Sequence, residues 1–129
     1  MTRRVIQPES LPDPRPRYCQ GIETQGGRML FIAGQTAVDA DGKVVGKGDP
    51  EKQVEQVFAN LAAVLEAAGG TLDNLVMTTT YLTDIKYREA YNKVRLKYYR
   101  NNQPTSTLVV VKALANEEYL IEIDGIAVI

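Results

Sequence analysis

Gln103-Pro104-Thr105-Ser106-Thr107-Leu108-Val109-Val110-Val111-Lys112-Ala113-Leu114, followed by Ala115-Asn116-Glu117-Glu118 and then Tyr119-Leu120-Ile121-Glu122-Ile123-Asp124-Gly125-Ile126-Ala127-Val128, is the stretch that decides the fold. It reads as two strands. Leu108–Val111 is an unbroken β-branched and leucine run, the pattern of a strand covered on both faces at the centre of a sheet, and residues 115–118 supply a polar connection to its partner strand. In the second strand a period of two puts Tyr119, Ile121 and Ile123 on one face and Leu120, Glu122 and Asp124 on the other. Two carboxylates thus stand side by side in the most apolar part of the chain. A buried carboxylate is costly unless it is paired or protonated, and its pKa rises toward the range useful for acid–base work. Glu122 is therefore a candidate general base; the other reading is that one or both carboxylates reach solvent or a subunit partner.

Working back toward the N-terminus, Thr83-Asp84 opens a helix with Tyr87, Tyr91, Val94 and Tyr98 as its inner stripe, closed by Asn101-Asn102 and Pro104. Its Lys86, Lys93, Lys97 and Arg100 read as a solvated basic face. Before it, Leu75–Leu82 alternates as a strand. An earlier helix starts at Asp49 as N-cap with Pro50 at its first position and stops at Gly69-Gly70. Its Val54, Val57, Phe58, Leu61, Val64, Leu65 and Ala68 form one apolar stripe. Residues 18–24 and 28–33 read as strands joined by a hairpin turn at Gln25-Gly26-Gly27, with Met29–Ile32 buried, and Lys43–Val45 as a short strand in a polar loop. Pro8, Pro12, Pro14 and Pro16 mark residues 1–17 as an extended N-terminal segment, with the fold proper starting near Tyr18 in one domain of 129 residues. The order β-β-(β)-α-β-α-β-β implies an α+β domain with two helices on one face of a mixed sheet. The other apolar face then needs a cover, for which self-association is the simplest.

Composition narrows the chemistry. Hydrophobic residues at 44% and charged residues at 24% describe a globular chain able to bury a core without help from metals or disulfides. Fifteen Lys+Arg against 16 Asp+Glu give a net charge of −1, so nucleic acid is not expected as a partner. With no histidine and one cysteine, the usual zinc sets, Ser-His-Asp and Cys-His mechanisms are excluded, and no metal or cofactor is expected. No glycine pattern forms a phosphate-binding loop. The N-terminus has Arg3-Arg4 but no apolar segment behind it, and no run of about 18 apolar residues exists to span a membrane, which makes the cytoplasm the expected location.

The blocks Arg17–Gln20, Leu30–Gln35, Val64–Gly69, Thr79–Asp84, Tyr91–Val94 and Ile121–Ala127, taken in order, resemble those of the Rid family, also called the endoribonuclease L-PSP family. The resemblance implies a chorismate-mutase-like fold, a homotrimer with small-molecule pockets between subunits, and hydrolysis of enamines and imines of amino-acid metabolism to keto acids and ammonia. It also implies Glu122 as the water-positioning catalytic residue and Tyr18 as a pocket residue. The family's Pro-x-Arg-Ser motif, whose arginine clamps the substrate carboxylate, falls on Pro104-Thr105-Ser106-Thr107, so the arginine position holds Ser106. Ser106 and Thr107 hydroxyls, with Gly34 in its block, are left as substrate-binding candidates. Because bonds to charged groups contribute about 1.5–3 kcal/mol against about 1 for neutral ones, amino-acid-derived imines are expected to bind weakly. Two readings stand: a divergent imine or enamine hydrolase, and a non-catalytic ligand-binding or regulatory trimer. Ribonuclease action conflicts with the charge balance and the missing histidine. Cys19 reads as a structural thiol unless a positive neighbour such as Arg17 activates it.

Overall fold

The computed structural model describes residues Met1–Ile129, and its elements run β1 (Thr2–Ile6), β2 (Gly21–Gln25), β3 (Met29–Gln35), α1 (Pro50–Ala67), β4 (Leu75–Leu82), α2 (Arg88–Tyr99), β5 (Thr105–Val110) and β6 (Ile121–Val128). The main sheet has the order β3-β6-β4-β5, with β4 and β5 parallel and the other pairs antiparallel. A parallel pair needs a long crossover, and α2 is that crossover. Both helices lie on one face, giving the α+β arrangement expected from the order of elements.

The helix signals act as the residue types require. The Asp49 side chain accepts the Lys52 N–H at 3.1 Å, Pro50 follows it, and the chain leaves α1 at Gly69, whose φ of +85° suits glycine. The stripe Val54, Val57, Phe58, Leu61 and Leu65 is wholly buried against Tyr91, Val94 and Tyr99 of α2 and Ile121 and Ile123 of β6. Phe58 stacks on Tyr98 at 5.0 Å and meets Tyr99 edge-on at 5.3 Å. Gln53 is also buried, accepting the Leu120 N–H and donating to the carbonyls of Gly46 and Glu118, so it pins the loop before β6 to α1.

Several strand expectations are corrected. The valine run of β5 is at the sheet edge and not its centre, with Val109 and Val110 exposed; β4 and β6 are the central strands. β5 and β6 are not partners but flank β4 on either side, because α2 returns the chain parallel to β4. Only one face of β3 is buried: Ile32 is 5% exposed, whereas Phe31 is 69% exposed. β2 and β3 form no hairpin; β2 pairs with β1, so residues 2–6 of the N-terminal segment are strand and the ordered fold does not wait for Tyr18. Lys43–Val45 makes a single bridge, Val38 to Val44, and no strand. Asp84 caps a 3₁₀ turn, Ile85–Tyr87, ahead of α2.

The helix-free face of the sheet carries an apolar row, Phe31 opposite Ile126 and Ile126 opposite Met77. Met29, Phe31, Met77 and Val109 are all exposed large hydrophobics in the single chain.

Candidate functional site

The open face also holds the carboxylates. β6 sets Glu122 opposite Tyr81 and Asp124 opposite Thr79 of β4, while Ile121 and Ile123, alternating with them, point into the core. Asp124 is tied down: it accepts the Thr79 N–H at 3.2 Å and the Tyr81 hydroxyl at 3.0 Å. That bond, with the Asp124 charge behind it, raises the Tyr81 phenol above its ordinary value. Glu122 is half-buried, and its carboxylate lies against Gly34, where a Cβ would stand 2.0 Å from Oε2. Partial burial, and then the Asp124 charge, push the Glu122 carboxyl above the usual carboxylate range. Beside this pair an open groove of about 400 Å³ is lined by residues of β3, β4 and β6, among them Phe31, Gly34, Met77 and Asp124. Thr107 lies on the same face, exposed, opposite Thr79.

Tyr18 and Ser106 lie elsewhere. Ser106 pairs with the buried Thr78, which places it on the helix side of β5, and with Tyr18, Ile85, Arg88, Arg95 and Leu108 it lines a second cavity of about 340 Å³. Within one chain the sheet therefore separates Glu122, Gly34 and Thr107 from Tyr18 and Ser106. Cys19 is buried, with its thiol donating to the Gln103 carbonyl at 3.1 Å; burial pushes it up, against the lowering pull of Arg3 and Arg15, so it is a structural thiol. Arg17 is exposed and lines neither cavity.

The sequence reading missed Arg95, a buried arginine facing that second cavity. Its signal was available: position 95 is four residues beyond Tyr91 and falls on the inner stripe of α2, where a cation calls for a reason.

Two helices on one face of a mixed sheet, with an open groove on the other, make this a chorismate-mutase-like α+β fold. The sequence profile of the endoribonuclease L-PSP family matches residues 8–129, and the chain belongs to that family, the Rid proteins of the resemblance. A RutC family protein of Saccharolobus solfataricus is 41% identical over 126 residues, covering 97% of each chain, and one from Pyrococcus horikoshii is 38% identical over 125 residues, again covering 97% of each. Among solved structures, a Rid-family protein of unknown function from Yersinia pestis superimposes with a TM-score of 0.92 at 37% identity, covering all of both chains. RidA from an Antarctic Psychrobacter gives 0.74 at 30% identity, covering 98% of this chain and 99% of its own.

Proposed function

We propose that the protein is a homotrimeric hydrolase of small imines or enamines, with Glu122 as general base and no guanidinium at position 106. The observation that carries this reading is the state of Glu122: half-buried, pushed up in pKa and pressed against Gly34. Such a carboxylate is suited to take a proton from water. An enamine first takes a proton at carbon to become the imine; the water oxygen then adds to the C=N carbon as Glu122 takes a proton from it, the nitrogen gains a proton, and collapse of the adduct with loss of its hydroxyl proton expels ammonia and leaves the carbonyl.

The trimer is supported by the uncovered row of Phe31, Ile126 and Met77, which a second subunit would remove from water. Assembly would also bring Tyr18 and Ser106 of one subunit toward Glu122, Gly34 and Thr107 of another, closing a pocket that one chain divides between two faces. The hydroxyls of Ser106 and Thr107 then serve as neutral donors to the substrate. A net charge of −1 supports a small molecule over nucleic acid as ligand, and a single free cysteine fits a cytoplasmic site of action. The division of the site between two faces also favours a second reading, a trimer that binds a ligand without turning it over.

The test pairs light scattering with ammonia release from an enzymatically generated imine, measured against the uncatalysed rate. A trimer that accelerates release supports the hydrolase. A trimer that binds but does not accelerate leaves the second reading, and a monomer removes both.

A further inference from the structure

Glu122 and Asp124 are alternate residues of β6 and stand on the same helix-free face, yet the two carboxylates are held very differently. Both oxygens of Asp124 are engaged, Oδ1 by the Thr79 N–H at 3.2 Å and Oδ2 by the Tyr81 hydroxyl at 3.0 Å. Donors placed in this way favour the charged form of a carboxyl group. No donor of the chain reaches a Glu122 oxygen, and neither carboxylate enters an ion pair. Tyr81 is opposite Glu122 in register but gives its hydroxyl to the diagonal neighbour, Asp124. Like charges on neighbouring positions of one face repel, and the carboxylate without donors is the one that yields by holding a proton.

We infer that Asp124 is a positioning residue for the proposed base: fixed by Thr79 and Tyr81, its charge makes Glu122 the member of the pair that takes the proton from water. Asp124 itself neither gains nor gives up a proton; Glu122 takes one from water and hands it on to the nitrogen. Two carboxylates whose surroundings differ in this way divide the work of charge and proton between them. The groups facing Glu122 within the chain are Tyr81 on β4 and Asp124 on β6, since β3 on its other side has no titratable side chain. From the neighbouring subunit the proposed pocket would add Tyr18, Arg88 and Arg95. Those two cations act in the opposite sense, but they are common to parent and variant, so a comparison of the two isolates Asp124. The inference rests on the hydrolase reading for its catalytic meaning only; the pairing of the two carboxylates is read from β4 and β6.

Asp124→Asn keeps the shape of the side chain and removes its charge, and Tyr81→Phe keeps the charge and removes its donor. In protein carrying ¹³C-labelled glutamate, the Glu122 carboxyl carbon is assigned by its loss in Glu122→Gln and followed through a pH titration. It should titrate at lower pH in Asp124→Asn than in the parent, and at higher pH in Tyr81→Phe, where the Asp124 charge is left without its hydroxyl partner. The acid limb of kcat/KM for ammonia release should move in the same two directions, and in Asp124→Asn the plateau above it should fall severalfold, a weaker base being less able to take the proton. A merely structural Asp124 would instead lower the rate by one factor at every pH and leave the limb in place. Glu122 titrating in Asp124→Asn as it does in the parent, or at lower pH in Tyr81→Phe, would overturn the proposal, and the second variant decides alone if the first does not fold. Absence of ammonia release from the parent would remove the hydrolase reading, whereas the carboxyl titration still reports whether Asp124 governs Glu122.

Discussion

Gly34 exists for Glu122: a Cβ at position 34 would stand 2.0 Å from Oε2 and 2.7 Å from Cδ of the glutamate. The clash is with the end of a flexible side chain, so Gly34→Ala should displace the carboxylate and leave the fold standing. We expect turnover to fall by about tenfold or more, since a misplacement near 1 Å costs up to about 10² in rate. Circular dichroism and ammonia release on the same sample check this; unchanged turnover would show that the Gly34 contact does not position the base.

Phe31, Ile126 and Met77 form the row that the trimer is proposed to cover. Placing a charge in that row, as in Phe31→Glu, requires a carboxylate to be desolvated on assembly. Light scattering should return monomer for the variant and trimer for the parent. A trimeric variant would place the interface elsewhere.

The raised pKa of Glu122 has a consequence for stability. Because the folded state holds this proton more tightly than the unfolded chain, stability falls as pH rises from about 4.3 through the folded-state value, and the deficit persists above it. Glu122→Gln carries no such deficit, so at pH 7 it should be more stable than the parent, with the difference closing below pH ~4. Urea midpoints at the two pH values read this directly. A variant less stable than the parent at pH 7 would reveal a cation paired with Glu122 across the subunit boundary.

Ser106 opens onto the cavity that already holds Arg88 and Arg95. Ser106→Arg would add a third guanidinium there, so the gain in kcat/KM on a carboxylate-bearing imine should stay below about tenfold, the inserted group lacking a supporting shell. A gain of several orders of magnitude would mean that a guanidinium at position 106 is the one element the pocket lacks.

What the sequence made legible follows from how local each signal is. Asp49, Pro50 and the stripe ending at Leu65 specify α1 within a few turns, and the alternation of Leu75–Leu82 and Ile121–Asp124 specifies which residues of β4 and β6 face the core. Strand partners are not local. The valine run at 108–111 looks buried on both sides, yet α2 returns it parallel to β4 at the sheet edge, where Val109 and Val110 are exposed. The same limit split the candidate site. The family resemblance implies a pocket between subunits for Tyr18, Ser106 and Glu122, and within one chain the register of β4 with β5 and β6 sends Ser106 and Glu122 to opposite faces. Arg95 is set apart from the other basic residues of α2, since position 95 falls on the buried stripe beside Tyr91 and Val94.

The central claim is that Glu122 is the base of an imine hydrolase, and ammonia release by the parent and by Glu122→Gln, at equal trimer concentration and pH, tests it most directly. The account predicts a measurable acceleration by the parent that drops about 10²–10⁴-fold in the variant, with assembly retained. Equal turnover by the two proteins would contradict it.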